Sequence, residues 1–432
     1  MHPTLLLLLL LLLPPTTLSF HHPIFTTHVQ HQLQHDPFWS RDCLRLKTPP
    51  STFEEFYNQV LQRNQPMVIE NASHIFGPKV KRWTNLVAFL QRYGNLPVDA
   101  SLFDTTDTRT RFGITPFPDD TDKTRHNLWA PYHQHVTLQE LLEFNATNRL
   151  LFAEQFGIYN VRPAKTNEDE DEDEEPDIVY RYDAQGAPIP FDDSNSHIGK
   201  NKLYQDWKTP AFMPNLRPEA INLWMGRLKM GNTGEQPDGH RGHQKVSPLH
   251  YDPTDNVMLQ LLGTKTFYMY HAVDAVHLHP EVMKVFRAPH PNTARQARQA
   301  RHTPVTHATT GVQDQQLPAA IHAQDNFSPV DPVKVDAARF PHAQHATRIK
   351  CKVQAGEALY MPSFTWHNVV SEGEEAAGDR WRHGMNMGIN VWSMGDRRFQ
   401  VLFETVMHWL QNGEHEEDVL GRAVAGRGEE EL

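Results

Sequence analysis

Ser247-Pro-Leu-His-Tyr-Asp252 is the stretch that decides the fold of this 432-residue chain. Residues two apart on an extended chain point to the same side, so His250 and Asp252 can both face one ion. The spacing alone is weak evidence, because chance predicts about three such triplets in a chain of this composition. His279-Pro-Glu281 and His415-Glu-Glu417 repeat it.

Only the first triplet is followed by further polar residues that could belong to the same site. Asn256 and Gly263-Thr-Lys265 come soon after it, and a third histidine, His367, ends the stretch that begins at Gly356. Two histidines and one carboxylate bind Fe(II) on one face and leave three positions open. 2-Oxoglutarate fills two such positions and needs a cation for its other carboxylate, which Lys265 can supply. Taken alone, Lys265 is more often a solvated lysine beside a hairpin turn.

Apolar periodicity predicts short helices first, then short strands, and then a closing helix over 397–411. The predicted helices begin at Ser51 with Glu54, at Thr84, and at Thr137 with Glu140. The predicted strands are 66–69, 150–159, 222–230, two within 257–270, 348–353, 358–361, 368–371 and 388–393. This order indicates an all-β core with helical decoration.

Charge and cysteine content restrict the function. The net charge is −11, and nine acidic residues lie between Glu168 and Asp177. Such a balance argues against binding to nucleic acid, and the acidic run is interpreted as a solvated loop, with attraction of a basic peptide as the alternative. Cys43 and Cys351 are the only cysteines, which excludes a disulfide framework and a thiolate zinc site. Any metal must therefore be bound by imidazole and carboxylate.

The N-terminus carries an unbroken leucine run, Leu5 to Leu13, followed by two prolines. A membrane span needs about 20 apolar residues, so the run fits the hydrophobic part of a signal peptide, with cleavage after Ser19. We therefore expect the secretory pathway, either the endoplasmic reticulum lumen or secretion, and no transmembrane span. The run is preceded by no Lys or Arg, so an organellar or a cytoplasmic protein remains the alternative.

The chain resembles the JmjC (cupin-type) oxygenases, and within them the small JmjC-only hydroxylases. The resemblance covers roughly 45–411, interrupted by insertions at 163–177, 231–246 and 287–325. Besides the residues above, it includes Asn222-Leu-Trp-Met-Gly226, Pro329-Val-Asp-Pro332 and Ala338-Arg-Phe-Pro341. It implies a mainly β fold: a double-stranded β-helix (jelly roll) core with an N-terminal α/β extension and a C-terminal helix.

The resemblance also implies roles for individual residues. His250, Asp252 and His367 would bind Fe(II), and Lys265, helped by the hydroxyl of Ser247, would bind the distal carboxylate of 2-oxoglutarate. Asn256 and Asn390 would hydrogen-bond near the metal end of this cosubstrate. Relatives carry an aromatic residue where this chain has Thr365, a position whose packing Trp366 can take over. Trp366, Trp392 and Trp224 are otherwise interpreted as core residues.

Composition and the resemblance together divide the chain into six segments. These are a signal peptide (1–19), a His/Pro-rich segment (20–50), the N-terminal α/β part (51–162), the acidic insertion (163–177), the JmjC core (178–396, with a low-complexity insertion at 287–325), and a C-terminal helix with an acidic tail (397–432). The helix serves either core packing or a homodimer interface, as in relatives.

The function that the resemblance implies is oxygenation of a protein or peptide side chain that uses Fe(II) and 2-oxoglutarate. One alternative is a non-catalytic lumenal protein of the same fold. Another is a hydrolase or peptidase that uses the same metal ligands, although Lys265 has no task in that reaction. Histone demethylation is a further option, but the sequence contains no reader domain or basic patch to support it.

Overall fold

A computed structural model of the chain describes residues 43–61, 65–104, 115–118, 126–130, 132–144, 149–160, 202–210, 212, 218–228, 245–287, 322–376 and 378–394. The predicted closing helix at 397–411, the leucine run and the acidic insertion lie outside the described residues.

Strands dominate the described part of the chain. In chain order they are β1 Leu44–Leu46, β2 Met67–Ile69, β3 Pro97–Asp104, β4 Thr115–Pro118, β5 His126–Ala130, β6 Tyr132–Thr137, β7 Arg149–Asn160, β8 Pro218–Arg227, β9 Lys245–Val246, β10 Leu249–His250, β11 Thr254–Leu262, β12 Thr264–Tyr270, β13 Glu281–Arg287, β14 His322–Ser328, β15 Ile349–Gln354, β16 Ala358–Met361, β17 Trp366–Glu372 and β18 Met385–Met394.

The helices are short. They are α1 Phe53–Gln59, α2 Pro78–Lys81, α3 Leu86–Tyr93 and α4 Leu138–Glu143, with 3-10 turns at Arg82–Thr84, Lys202–Asp206, Ala272–His277 and Pro341–His345. None of the helices in the described ranges is both long enough and apolar enough to cross a membrane.

The capping predictions were right for one helix and wrong by one residue for two. The predicted box at α4 is present, with Thr137 and Glu140 exchanging hydrogen bonds. α1 is capped by Thr52, which accepts from the Glu55 amide, and α3 by Asn85, which accepts from the Ala88 amide. Thr52 and Asn85 therefore replace the predicted Ser51 and Thr84. At the start of each helix two polar residues are adjacent, and the local sequence does not decide which of them caps the helix.

Two large sheets form a sandwich, and the predicted jelly-roll core is confirmed. The first has the order β1-β2-β16-β11-β18-β8-β7-β3-β6, and the second has the order β15-β12-β17-β10-β14-β13-β5-β4, with β9 paired to β17. β11 and β12 are joined by a turn at Gly263, whose φ is +72°. A Cβ there would lie 2.5 Å from the Glu372 carbonyl oxygen, so the turn requires glycine.

Periodicity missed several strands, and β5, for example, pairs with β13, which is remote in sequence. β3 and β6 extend the first sheet, and β4 and β5 extend the second. β13 and β14 pair antiparallel, and β14 occupies the end of the predicted low-complexity insertion at 287–325. β9 likewise occupies the end of the predicted insertion at 231–246. Both insertions are therefore shorter than the sequence suggested.

A disulfide links Cys43, just before β1, to Cys351 in β15, with their Cα atoms 5.1 Å apart and a sequence separation of 308. Because β1 lies at an edge of the first sheet and β15 at an edge of the second, the bond joins the two sheets covalently. Arg45 adds ion pairs to Glu70 and Glu357 at the same edge. The two cysteines are too few for a disulfide framework, yet they form one cross-link that the sequence did not reveal.

We predict that this disulfide contributes measurably to stability. Replacing both cysteines by alanine should lower the free energy of unfolding by about 2–5 kcal/mol, because the bond restricts the unfolded chain over a long loop. Thermal unfolding of wild type and double variant, with and without reductant, measures this. Reductant should lower the midpoint of the wild type only. An identical wild-type midpoint under both conditions would contradict the prediction.

Candidate metal centre and adjoining pocket

The pairing of β10 with β17 brings the two predicted metal-site histidines together. His250 and His367 are direct partners across these antiparallel strands, so their side chains lie on the same face. Their ring centroids are 4.2 Å apart. Asp252 follows β10, and its Oδ2 lies 3.7 Å from Nε2 of His367.

These three side chains form a group suited to a metal ion. One potential ligand atom from each of His250, Asp252 and His367 lies within 4.8 Å of the other two, and no other such group of three occurs in the described ranges. Metal-bound nitrogen and oxygen atoms lie about 2.0–2.2 Å from an ion, so ligand atoms this close to one another can share one ion. The residues present therefore fit a divalent ion.

The hydrogen bonds of both imidazoles favour ligation through Nε2. Nδ1 of His250 lies 2.9 Å from the Pro248 carbonyl oxygen, and Nδ1 of His367 lies 2.8 Å from that of Thr365. Since a carbonyl only accepts, each Nδ1 carries the proton and each Nε2 has its lone pair available. Burial, reinforced by the neighbouring His250, lowers the pKa of His367 to about 4, which keeps this imidazole neutral.

Backbone contacts couple the two halves of the group. The Phe364 amide donates to the Asp252 carbonyl at 2.8 Å, and the Ser363 amide donates to Oδ1 of Asp255 at 2.8 Å. The turn before β17 is thereby fixed to the loop after β10. Phe327 of β14 stacks on the His250 ring with an interplanar angle of 17°. These contacts orient the imidazoles before any ion binds.

Lys265, on β12, lies deep in the sandwich, at the level of β17 that is four positions from His367. It is only 3% exposed and is paired with Ser371, to whose Oγ its Nζ donates at 2.9 Å. The solvated alternative for Lys265 is therefore wrong. Lys265 is thus a buried cation on the same face of the second sheet as both histidines, and we refer to the region between them as the pocket.

The remaining predicted residues also lie near this pocket. Asn256 and Asn390 are buried, and Nδ2 of Asn390 donates to Oδ1 of Asn256 at 3.4 Å. Ser247 is paired with β17 through Val369, whose amide donates to the Ser247 hydroxyl at 2.9 Å. Ser247 therefore lies at the pocket edge, with its hydroxyl already engaged by the backbone.

Sequence reasoning missed two residues of the pocket wall. Trp224 packs against the hydrophobic core as interpreted, and its indole N–H in addition donates to Oδ1 of Asn390 at 2.8 Å. Asn222 is paired directly with Asn390, is 4% exposed, and its Nδ2 has no hydrogen-bond partner in the described part of the chain. Both belong to the quoted run Asn222-Leu-Trp-Met-Gly226, in which they are two positions apart and so share one face of the strand.

Trp366 behaves as predicted for a core residue. Adjacent positions of a strand face opposite sides, so Trp366 points away from the face that carries His367. It is fully buried and packs edge-on against Tyr251 with centroids 5.0 Å apart. It therefore does not replace the missing aromatic at Thr365 inside the pocket, because it lies on the other face of β17.

A jelly-roll sandwich with two histidines and a carboxylate gathered between its sheets is the arrangement of a cupin. The profile of the cupin-like domain family matches residues 53–394, and the chain belongs to this family, in its JmjC branch. Members of the JmjC family are typically Fe(II)- and 2-oxoglutarate-dependent oxygenases.

Three relatives illustrate the range of the family. JmjC domain-containing protein E of Dictyostelium discoideum is 21% identical over 86% of this chain and 90% of its own length. The human bifunctional peptidase and (3S)-lysyl hydroxylase JMJD7 is 22% identical over 79% of this chain and 86% of its own. Lysine-specific demethylase JMJ30 of Arabidopsis thaliana is 26% identical over 40% of this chain and 28% of its own.

We predict that His367→Ala weakens metal binding by at least roughly a hundredfold, because the two remaining ligands cannot fix the ion's geometry. Anaerobic titration with Mn(II) measures the affinity directly. His342→Ala, at an exposed histidine outside the group, is the matched control and should bind like wild type. Wild-type affinity in His367→Ala would mean that another residue completes the site.

Proposed function

We propose that the chain is an Fe(II)- and 2-oxoglutarate-dependent oxygenase that hydroxylates a protein side chain. The observation that carries the proposal is the pairing of the His250, Asp252 and His367 group with a buried lysine at the other end of the same pocket. A metal-dependent hydrolase has no task for that lysine, whereas a diacid cosubstrate needs it.

In this proposal His250, Asp252 and His367 bind Fe(II). When bound, the iron supplies the O2 activation that couples decarboxylation of 2-oxoglutarate to hydroxylation of a C–H bond. The protein's own task is to orient both imidazoles and to fix the proton on Nδ1, through their contacts to the Pro248 and Thr365 carbonyls.

The distance along β17 supports a five-carbon diacid. His367 and Ser371 are four positions apart on one strand, which is about 13 Å at about 3.3 Å per residue. Side chains from both ends extend into the intervening space, so a short diacid can reach from the metal group to Lys265. Lys265 would bind its distal carboxylate, and Ser247 would assist at the pocket edge.

The amide side chains would serve the other end of the cosubstrate. Asn256 and Asn390 are buried on the first sheet, whereas the two histidines lie on β10 and β17 of the second. Their amide groups can hydrogen-bond to the 2-oxo acid end, and Asn222 offers a further donor beside Asn390. Buried amides need such partners, since an unsatisfied polar group costs about 1–3 kcal/mol.

The relatives support a protein or peptide substrate. Human JMJD7 is named as a (3S)-lysyl hydroxylase and a peptidase, and JMJ30 as a lysine demethylase. Hydroxylation is favoured here because Lys265 implies a cosubstrate that a peptidase does not use. A non-catalytic protein of this fold has no need of four intact site residues. Nucleic acid is not an expected partner, and the homodimer through 397–411 stays a prediction.

We further propose that the protein folds in the secretory pathway. The leucine run at 5–13 is one line of support, and the Cys43–Cys351 cross-link is an independent one. Disulfides persist in oxidising compartments and are rare in the cytosol. A signal peptide at 1–19 would deliver the chain to such a compartment.

Lys265→Ala should raise the 2-oxoglutarate concentration needed for half-maximal succinate release by on the order of a hundredfold, while Mn(II) binding stays near wild type. The reason is the loss of a charge-assisted contact in a buried pocket. The measurement is a titration of 2-oxoglutarate at matched iron occupancy, with exposed Lys284→Ala as the control. Superimposable curves for wild type and Lys265→Ala would refute the cosubstrate assignment.

The hydroxylation itself has a separate test. A captured protein substrate should gain the mass of one oxygen atom only when O2 and 2-oxoglutarate are both supplied. Cleavage of the substrate without 2-oxoglutarate would favour the peptidase, and loss of methyl groups would favour the demethylase.

A further inference from the structure

Two lysines enter the sandwich from either side of β17. Lys245 on β9 and Lys265 on β12 are both direct partners of Ser371, so all three side chains lie on one face. Lys245 is 6% exposed and Lys265 is 3% exposed. Buried lysines are rare, and two that flank one serine in the same pocket are an arrangement that the resemblance did not imply.

Both ammonium groups converge on the same aromatic ring. Nζ of Lys245 lies 5.1 Å from the centroid of Phe152, and Nζ of Lys265 lies 6.0 Å from it. Nζ of Lys245 also lies 5.9 Å from the ring of Trp224. Phe152 can occupy this place because its partner is Gly226, where a Cβ would meet the ring at 2.4 Å. We refer to the region between this ring, the two lysines and Ser371 as the lysine compartment.

Ser371 completes this compartment. Its hydroxyl oxygen accepts from Lys265, which leaves its hydrogen available to an incoming oxygen atom. Two like charges near each other in a low-dielectric interior repel, and an anion between them stabilises both. A carboxylate has two oxygens and about four acceptor positions, enough to receive donors from both lysines and the serine.

We infer that Lys245 is a second cationic binding residue, which together with Lys265 and Ser371 holds the distal carboxylate of the diacid. This inference rests on the function proposed above and adds to it. The pocket is thereby specific for a 2-oxo acid that carries a second negative charge. Lys245 acts on the cosubstrate's far end, because it pairs with β17 at Ser371 and not at His367.

The test compares two ligands on the full-length, Mn(II)-loaded protein without O2. The probes are 2-oxoglutarate and 2-oxopentanoate, which has the same chain length but no distal carboxylate. Binding is measured by calorimetry for wild type, Lys245→Met, Lys265→Met and the control Lys352→Met, an exposed lysine of the neighbouring β15. Methionine keeps the packing of Lys245 on Phe152 and Trp224 while removing the charge.

Lys245→Met should bind 2-oxoglutarate at least roughly tenfold more weakly than wild type and 2-oxopentanoate equally well. Lys245→Arg keeps a cation and should recover part of the lost affinity, which also guards against a variant that folds poorly. Two outcomes would overturn the role of Lys245 but not the proposed function. One is that Lys245→Met binds both probes equally more weakly than wild type. The other is that Lys245→Met binds 2-oxoglutarate like wild type while Lys265→Met binds it weakly. A wild type that does not prefer 2-oxoglutarate over 2-oxopentanoate would overturn the proposed function itself.

Discussion

The position of β17 between its neighbours is the constraint on which the rest of the pocket depends. β17 pairs with β12 on one side and with β9 and β10 on the other. One face of this single strand carries His367 at one end and Ser371 at the other, and each is matched to a functional residue on a neighbouring strand. Since side chains alternate at a period of two, a slip of one residue would turn both ends away from the interior at once. Strand register therefore determines both the metal group and the lysine compartment.

The metal group could be predicted from the sequence, whereas the far end of the pocket could be predicted only in part. His250, Asp252 and His367 stand out because a short spacing and a recognisable order identify them before any folding is considered. Lys265 follows from the same order. Lys245 does not, because its role depends on which residue of β17 it faces, and pairing between distant strands is not encoded in local periodicity. Asn222 and Trp224 were visible in a quoted run, yet their side of the strand was not.

The difference between local sequence signals and pairing of distant strands also explains where the predicted helices and strands were wrong. Helix α4 was predicted with its cap because Thr137 and Glu140 form a reciprocal pair within four residues. At α1 and α3 two neighbouring polar residues compete for the cap, and only the backbone geometry selects between them. β13 and β14 escaped prediction because each borders a compositionally biased stretch, and their pairing with each other and with β5 and β10 comes from the sheet as a whole.

The antiparallel pair of β13 and β14 tolerates insertions at one of its ends. β14 presents Phe327 to His250 at its inner end, while the chain leaves and re-enters the sheet at Arg287 and His322, at the opposite end of the pair. The entropy cost of closing a loop rises only slowly with its length, about 0.6 kcal/mol for each doubling. Insertions at this end can therefore lengthen over evolution, or accept a reporter domain in the laboratory, without altering the strand that orients the metal-site imidazole.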